Sequence, residues 1–456
     1  MGARYLLALV TVSVTLQPAI GADARPRLIV LTDIGGDPDD QQSMVRLMVH
    51  ANEFEIEGLI ASAAGVPGEL KAEAVKPELI REIVEAYAKA QPNLRKHHPG
   101  FPEAKTLLER VKSGNPKRGV DSLGAGKDTD GSKWIISVVD RADERPVNVV
   151  IWGGSTELAQ ALWRVRNDRT PADLKKFLGK LRVYAIGHQD NTGPWINEQF
   201  PDLFYILSKA PEGRDKREGG YRGMYLGGDE SLTSRAWVDA HVRKDRGPLG
   251  ALYPVTGMWT APNPHATLKE GDTPSWFYFL PIGLGDPAHP EWGSWGGRFR
   301  HVKGGRYEDA RDTVNGITDA RTNVWRWRPA YQNEFAARMG WCVKAPKEAN
   351  HPPVAVVNKD TTGEPVRIEA KPGERVSLSA VGSSDPDGNA LAYRWLAYRE
   401  AGSYDGAVRL DAADTVAPTL LTPADSAGKV IHVVLELTDD GKPALTRYRR
   451  VVVTVR

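Results

Sequence analysis

The sequence contains a single cysteine, Cys342, among 456 residues, so an intramolecular disulfide framework and a cysteine-rich zinc site are both excluded. It also lacks an excess of one charge, because 60 Lys and Arg residues stand against 58 Asp and Glu residues, a formal net charge of +2. A chain this close to neutral has no broadly basic surface, which argues against a nucleic-acid-binding protein. Phosphate-binding loops, zinc-protease motifs and dinucleotide fingerprints are missing as well.

Long apolar runs are confined to the amino terminus. Residues 5–16 are apolar with small hydroxyl residues, Arg4 precedes them, and the small residues Gly21 and Ala22 follow. This pattern is typical of a cleaved secretory signal, and the run is too short for a comfortable membrane span. We therefore predict a signal peptide over residues 1–22, a secreted or periplasmic location and no membrane span.

Strands and helices alternate across residues 25–343. Short apolar runs at 28–32, 54–61, 147–152 and 181–186 predict buried strands, and the segments 41–50, 72–89, 134–141 and 156–165 have helical patterns. This alternation predicts an α/β fold with a mainly parallel sheet and flanking helices. In such folds the functional residues gather at the carboxyl ends of the strands.

A different pattern begins after residue 343. The proline-containing segment 344–353 is a predicted linker, and residues 354–456 contain period-2 runs separated by turns such as Asp385-Pro-Asp-Gly388. These features predict a small antiparallel β-sandwich. The order of its motifs resembles immunoglobulin-like modules of the polycystic-kidney-disease type. Whether this domain binds sugar or serves as a spacer stays open.

The first strand ends in an unusually acidic turn, Thr32-Asp33-Ile-Gly-Gly-Asp37-Pro-Asp39-Asp40. A helix cap needs one aspartate, whereas four neighbouring carboxylates repel one another unless a cation neutralises them. A hard divalent ion with oxygen ligands, such as Ca²⁺, does this naturally. The sequence favours a metal site, with a solvated polar turn as the alternative.

This turn resembles the amino-terminal signature of the nucleoside hydrolase family. Two further segments are similar to that family, the strand and turn Val150-Ile-Trp-Gly-Gly-Ser-Thr156-Glu-Leu-Ala and the late turn Gly271-Asp272-Thr-Pro. Together with the segment at 286–297, the chain resembles a secreted subgroup described as cellulose-binding, with a nucleoside-hydrolase-like domain and a separate C-terminal domain. The resemblance spans nearly all of the mature chain.

The resemblance implies roles for five residues. Asp33 is similar to the family aspartate that ligates calcium and acts as general base. Asp40 resembles a bidentate calcium ligand, and Asp39 the residue that holds a sugar hydroxyl. Thr156 would contribute its backbone carbonyl to the metal, and Asp272 its carboxylate.

The sequence departs from the family pattern at three positions, where Leu31, Glu157 and Gly271 replace the usual acidic residue, Asn and His. No clear counterpart of the family's sugar-contact segment is found. The stretch at 189–198 lies in about the right place and supplies the candidate substrate-binding residues Asn191, Asn197 and Glu198. These changes preserve the metal argument better than the ribonucleoside argument.

Aromatic and histidine residues give the remaining candidates. Trp292 and Trp295 lie in a glycine-rich segment and either stack on sugar faces or pack beneath the loop. The acid that protonates the leaving group is not identified by the sequence, and His188, His241 and His265 are candidates.

We expect a secreted, calcium-dependent hydrolase of N-glycosyl or other sugar-derived bonds, with a carbohydrate or nucleoside substrate and cellulose or another polysaccharide as a possible partner. The alternative is a non-catalytic carbohydrate-binding protein on the same scaffold. A surface adhesion protein is a third, weaker interpretation.

Overall fold

The protein is described from a computed structural model, which defines residues 25–64, 74–255 and 267–456. The predicted signal peptide, residues 1–22, lies outside the described residues. Among those described, no helix combines the length and apolar character that crossing a bilayer requires.

An eight-stranded sheet forms the centre of the N-terminal domain, in the order β3-β2-β1-β4-β5-β6-β8-β7. Only the pair β7 and β8 is antiparallel. The strands are β1 (Arg27–Thr32), β2 (Glu55–Ala61), β3 (Val111–Ser113), β4 (Val147–Ile151), β5 (Leu181–Ile186), β6 (Phe204–Ser208), β7 (Phe299–Lys303) and β8 (Arg306–Asp309). The predicted α/β class with a mainly parallel sheet is confirmed.

Helices flank this sheet, and residues from both of its faces belong to two large apolar clusters. The helices are α1 (Asp39–Met48), α2 (Pro77–His97), α3 (Ala104–Glu109), α4 (Asp130–Val139), α5 (Thr156–Asp168), α6 (Pro171–Gly179), α7 (Thr192–Gln199), α8 (Arg235–Val238), α9 (Gly247–Leu252), α10 (Thr273–Phe277), α11 (Thr322–Trp325) and α12 (Arg328–Trp341). Covering both faces explains why the central strands are continuous apolar runs rather than alternating ones.

The connectivity creates a crevice beside β1. The chain runs from β1 outward to β2 and β3, then returns to add β4 on the other side of β1. In the register, Leu31 pairs with Ile60 of β2 and with Ile151 of β4, so the three strands end level with one another. Ligand sites of open α/β sheets lie at such a switch point, outside the carboxyl ends of the strands.

The C-terminal domain contains two sheets of mostly antiparallel strands, in the orders β11-β17-β16-β13 and β12-β15-β14. Only β11 and β17 pair in parallel. Residues of both sheets share one apolar core. The strands are β11 (Val366–Ala370), β12 (Arg375–Ser377), β13 (Leu391–Ala397), β14 (Arg409–Asp411), β15 (Thr419–Leu421), β16 (Val430–Asp439) and β17 (Thr446–Val455); the short strands β9 (Asp312–Val314) and β10 (Ile317–Asp319) pair separately in the N-terminal domain.

The two domains are in intimate contact. The backbone N–H of Tyr448 donates to the carbonyl of Ile282 at 3.0 Å, and Gly283 lies so close that a Cβ there would be 2.0 Å from the Tyr448 carbonyl. The buried Glu334 carboxylate pairs with the Arg447 guanidinium at 2.6 Å. This interface is therefore apolar, hydrogen-bonded and ion-paired.

Candidate metal centre

Three carboxylates converge at the crevice beside β1. Asp39 and Asp40 open α1, and Asp272 immediately precedes α10. One carboxylate oxygen from each lies within 4.8 Å of the other two. We call these three residues the acidic cluster. Asp40 and Asp272 are buried, Asp39 is half-buried, and the Oδ2 atom of Asp272 has no hydrogen-bond partner among the described residues.

The electrostatics of the acidic cluster follow from burial and mutual repulsion. Burial, reinforced by the Asp33 charge, raises the pKa of Asp39 to about 7. Burial also raises the pKa of Asp40 well above its usual value, with further contributions from Asp33 and Asp39. The pKa of Asp272 is raised well above its usual value by burial and then by Asp39 and Asp40. Without a cation, this arrangement disfavours the charged carboxylates.

Asp33 follows β1 and lies beside the acidic cluster. It is 8% exposed, and its Oδ2 accepts a hydrogen bond from Nη2 of Arg118 at 2.5 Å. Gly153, which follows β4, makes room for it, since a Cβ at that position would be 2.5 Å from the Asp33 carboxyl carbon. Asp33 therefore lies outside the three-carboxylate group and is engaged by a guanidinium, and its predicted roles as calcium ligand and general base stay predictions.

Cationic side chains surround the same crevice. Lys269 pairs with Asp37, and burial lowers the pKa of Lys269 to about 8. The positive charge of Arg222 acts on Asp39. Of the five aspartates of the crevice, Asp33, Asp37, Asp39, Asp40 and Asp272, Asp33 pairs with Arg118, Asp37 pairs with Lys269, and Asp39 lies near the Arg222 charge.

The fold fixes Asp272 through its own backbone. The Asp272 carbonyl accepts hydrogen bonds from the N–H and Oγ of Ser275, at 3.1 and 2.6 Å. The buried Trp152 ring, just after β4, donates from Nε1 to the same Ser275 Oγ at 2.9 Å. Gly271, where the family has His, packs against the Tyr221 ring, with the Asp39 carboxylate close by. Asp272 is thereby tied to the end of β4.

The side chains of Thr156 and Asn191 anchor the loop that follows β3. Thr156 Oγ1 accepts a hydrogen bond from the Gly119 N–H at 3.2 Å, and the Asn191 side chain accepts one from the Val120 N–H at 2.9 Å. The predicted metal contact of the Thr156 carbonyl stays a prediction. The predicted sugar contact of Asn191 also stays a prediction, although its Oδ1 already accepts this bond inside the protein.

Asn197 and Glu198 lie elsewhere. Together with His188 they line a separate open groove of about 1210 Å³ beside β6, β7 and β8, and none of the acidic cluster lines it. Burial and the nearby Lys209 charge lower the pKa of His188 to about 4. The predicted substrate contacts of Asn197 and Glu198 stay predictions.

The described histidines do not identify the acid that would protonate the leaving group. His241 packs on Trp237 with ring centroids 5.0 Å apart, and His265 lies outside the described residues. Among described histidines, none hydrogen-bonds or ion-pairs with a carboxylate of the acidic cluster.

The prediction that Trp292 and Trp295 stack on sugar is corrected by their burial. Trp292 is 6% exposed and stacks on His289, with ring centroids 4.0 Å apart. Trp295 is 0% exposed, and its Nε1 donates to the Tyr448 hydroxyl at 3.2 Å. Both rings pack at the domain interface, which is the alternative that their glycine-rich segment allowed.

Sequence reasoning missed Arg118, Lys269 and Arg222. Lys269 is three residues before the predicted Asp272, so its position carried a weak signal. Arg118 and Arg222 come from segments without motif or periodicity. The excess of carboxylates in the acidic turn predicts cationic partners in general but does not say which residues supply them.

Comparisons with known proteins identify the family of this chain. Residues 27–299 match the family described as cellulose-binding Sde182, nucleoside hydrolase-like domain, and residues 375–455 match the C-terminal domain of cellulose-binding protein Sde0182. The chain belongs to this Sde182 family.

A solved structure supports the Sde182 assignment along nearly the whole chain. It is a nucleoside hydrolase-related hypothetical protein from Saccharophagus degradans that is associated with carbohydrate metabolism. It is 37% identical, covers 95% of this chain and 100% of its own, and has a TM-score of 0.80. The predicted nucleoside-hydrolase-like fold is therefore confirmed.

The PKD domain of the KIAA 1837 protein is 20% identical over 20% of this chain and 79% of its own, with a TM-score of 0.16, so it carries no conclusion about the C-terminal domain. A comparison with curated proteins finds no match.

Proposed function

We propose that the chain is a secreted, divalent-cation-dependent hydrolase of glycosidic bonds, acting on a sugar with two neighbouring hydroxyl groups. One observation carries the proposal: the acidic cluster brings three carboxylates within 4.8 Å at the switch point of the sheet, with a buried Asp272 oxygen that lacks a partner. Secretion rests on the signal-like pattern of residues 1–22.

The residues present fit a calcium ion. All the donors are carboxylate oxygens, the ligand type that Ca²⁺ prefers, and a cation would relieve the mutual repulsion that helps to raise their pKa values. Asp39, Asp40 and Asp272 would hold it. When bound, the cation supplies a positive charge that orients vicinal sugar hydroxyls and acidifies a water molecule.

Asp33 would act as the general base. Its carboxylate takes a proton from the attacking water while the water oxygen bonds to the anomeric carbon and the bond to the leaving group breaks. The surrounding carboxylates stabilise the oxocarbenium-like charge that develops on the sugar. Burial of the crevice strengthens these interactions, since they operate in a medium less polar than water.

Carbohydrate binding without hydrolysis is the second candidate function. It is favoured by the lack, among the described residues, of a histidine bonded to the acidic cluster that could protonate a leaving group. The description of the matching family as cellulose-binding supports it too. In this case the same cation would hold the sugar and no bond would be cleaved.

Two substitutions test these functions in the full chain. Asp272→Asn should reduce tightly bound calcium, measured by elemental analysis after dialysis. Asp33→Asn should abolish release of product from nucleosides, aryl glycosides or cello-oligosaccharides while retention on insoluble cellulose persists. Asp128→Asn, in a half-buried pair with Arg164 outside the acidic cluster, is the matched control. If the wild type binds cellulose, cleaves none of these probes and is unchanged by Asp33→Asn, the binding function replaces hydrolysis.

A further inference from the structure

Arg118 reaches into the crevice from a loop that belongs to no helix or strand. Its Nε and Nη2 donate to the Ala63 carbonyl at 2.9 and 2.6 Å, and Nη2 also donates to Asp33 Oδ2 at 2.5 Å. The Arg118 side chain is only 9% exposed. The guanidinium thus bridges the segment after β2 and the segment after β1, at the carboxyl edge of the sheet.

The loop that carries Arg118 is anchored on both sides of it. Before it, the Asn115 N–H donates to the buried Glu157 carboxylate at 2.9 Å. After it, the Gly119 N–H donates to Thr156 Oγ1 at 3.2 Å, and the Val120 N–H donates to the Asn191 side chain. Three backbone anchors within six residues hold the guanidinium in place before any ligand arrives, which lowers the entropy cost of using it.

One donor of this guanidinium is left over. Nη1 of Arg118 is buried and makes no hydrogen bond to any of the described residues. An unsatisfied buried donor on a charged group is costly, so such a group is expected to meet an acceptor in the working protein. The adjacent turn after β4 is built from Gly153 and Gly154, and the Arg118 Cδ lies 3.5 Å from where a Gly154 Cβ would be.

We infer that Arg118 is a positioning residue that orients the Asp33 carboxylate and donates from Nη1 to an oxygen of the bound sugar. Holding Oδ2 fixes the orientation of the carboxylate that receives the proton in the proposed reaction. This inference rests on the proposed function and deepens it, because it names the group that aims the base. A guanidinium suits the task, since its donors are fixed in one plane and it stays charged.

The competing interpretation is that Arg118 only neutralises Asp33, as one more cation among five carboxylates. The two differ in what happens when the guanidinium is removed. A neutralising residue is replaceable by any positive charge, so Arg118→Lys would be nearly normal. A positioning residue needs the fork of donors, so lysine would not substitute for it.

The test uses the full chain loaded with calcium and the probes named above for hydrolysis. Arg118→Ala and Arg118→Lys should both lower kcat about 10- to 100-fold, the effect of one charge-assisted hydrogen bond, while calcium affinity changes by less than about threefold. Added guanidinium ion, below denaturing concentration, should restore part of the Arg118→Ala activity, whereas ammonium should not. Arg169→Ala, which breaks a surface pair with Asp140, should have neither effect.

Three results would overturn the inference. These are normal turnover by Arg118→Lys, equal rescue by ammonium and guanidinium, or a loss of activity that is fully explained by lost calcium. If the wild type hydrolyses no probe, the proposed hydrolysis fails separately. The role of Nη1 is then decided by the affinity for cello-oligosaccharides. Arg118→Ala should lower this affinity about tenfold, and added guanidinium should restore it. An unchanged affinity refutes the proposed bond from Nη1 to the sugar.

Discussion

Removing the cation from the acidic cluster should make stability depend on pH in a defined direction. The pKa of Asp39 in the folded protein is about 7, against 3.8 in an unfolded chain, and the pKa values of Asp40 and Asp272 are raised too. Between these values the folded state keeps protons that the unfolded state releases. The contribution of these three groups to the free energy of unfolding is therefore fully present below about pH 4, and it is lost as pH rises toward their folded pKa values.

The size of the effect follows from the shift of Asp39 alone. Each unit of pKa corresponds to about 1.4 kcal/mol, so Asp39 accounts for at most about 4 kcal/mol between acid and neutral pH. Solvent access to this half-buried group reduces the figure to about 2–3 kcal/mol. Calcium at a hundred times its Kd would restore about 2.7 kcal/mol, which for a chain of this size is a rise in Tm of about 3 °C.

The assay is thermal unfolding of chelated and calcium-loaded protein at about pH 5 and about pH 8. Glu157 and Asp309 also have pKa values raised to about 7 by burial, so the pH trend of chelated protein is not specific to the acidic cluster. The decisive quantity is the gain on adding calcium, which should be larger at the higher pH and mostly absent in Asp272→Asn. An equal calcium gain at both pH values, or an undiminished gain in Asp272→Asn, would refute the reasoning.

Three further predictions concern packing around the site and between the domains. Gly153→Ala places a Cβ 2.5 Å from the Asp33 carboxyl carbon and should lower turnover at least about tenfold, whereas Gly179→Ala, with nothing within 4 Å, should leave it unchanged in the same kinetic assay. Trp295→Ala should destabilise the protein by about 3–5 kcal/mol in denaturant titration without weakening cellulose retention per folded molecule, since the ring is fully buried. Glu334→Gln leaves the half-buried Arg447 without its carboxylate partner and should also cost about 3–5 kcal/mol. Because Arg447 and Arg338 hold the pKa of Glu334 far below its usual value, the stability advantage of the wild type over this variant should disappear as pH falls.

The sequence predicted those elements and site residues whose pattern lies within one short segment of the chain. The apolar runs that became β1, β4 and β5 are buried on both faces of the sheet, so composition alone identifies them within one or two residues. The acidic turn is local as well, and Asp39 and Asp40 take their places from the helix that starts there. Asp272 is 232 residues away from Asp40, so only family resemblance could associate the two.

The parts that sequence reasoning missed depend on tertiary contacts. Arg118 lies in a loop without periodicity, and its partner Asp33 is 85 residues away. Trp292 and Trp295 share a glycine-rich segment that suits an exposed platform and a buried contact equally, and the surface that covers them comes from β17. Nothing local in either case distinguishes a residue that binds sugar from one that holds the fold together.

The contact between the two domains also helps to position the acidic cluster. Tyr448 of β17 meets the Trp295 ring edge-on, with centroids 6.1 Å apart, and Trp295 in turn meets Phe277, with centroids 5.5 Å apart. Phe277 belongs to α10, the short helix that begins directly after Asp272. A helix this short has little stability of its own, so its position depends on what packs against it. The C-terminal domain therefore supports the helix next to Asp272. Isolating this domain would expose the apolar surface that Trp295 now covers, so the contribution of the domain to sugar binding has to be measured in the full chain.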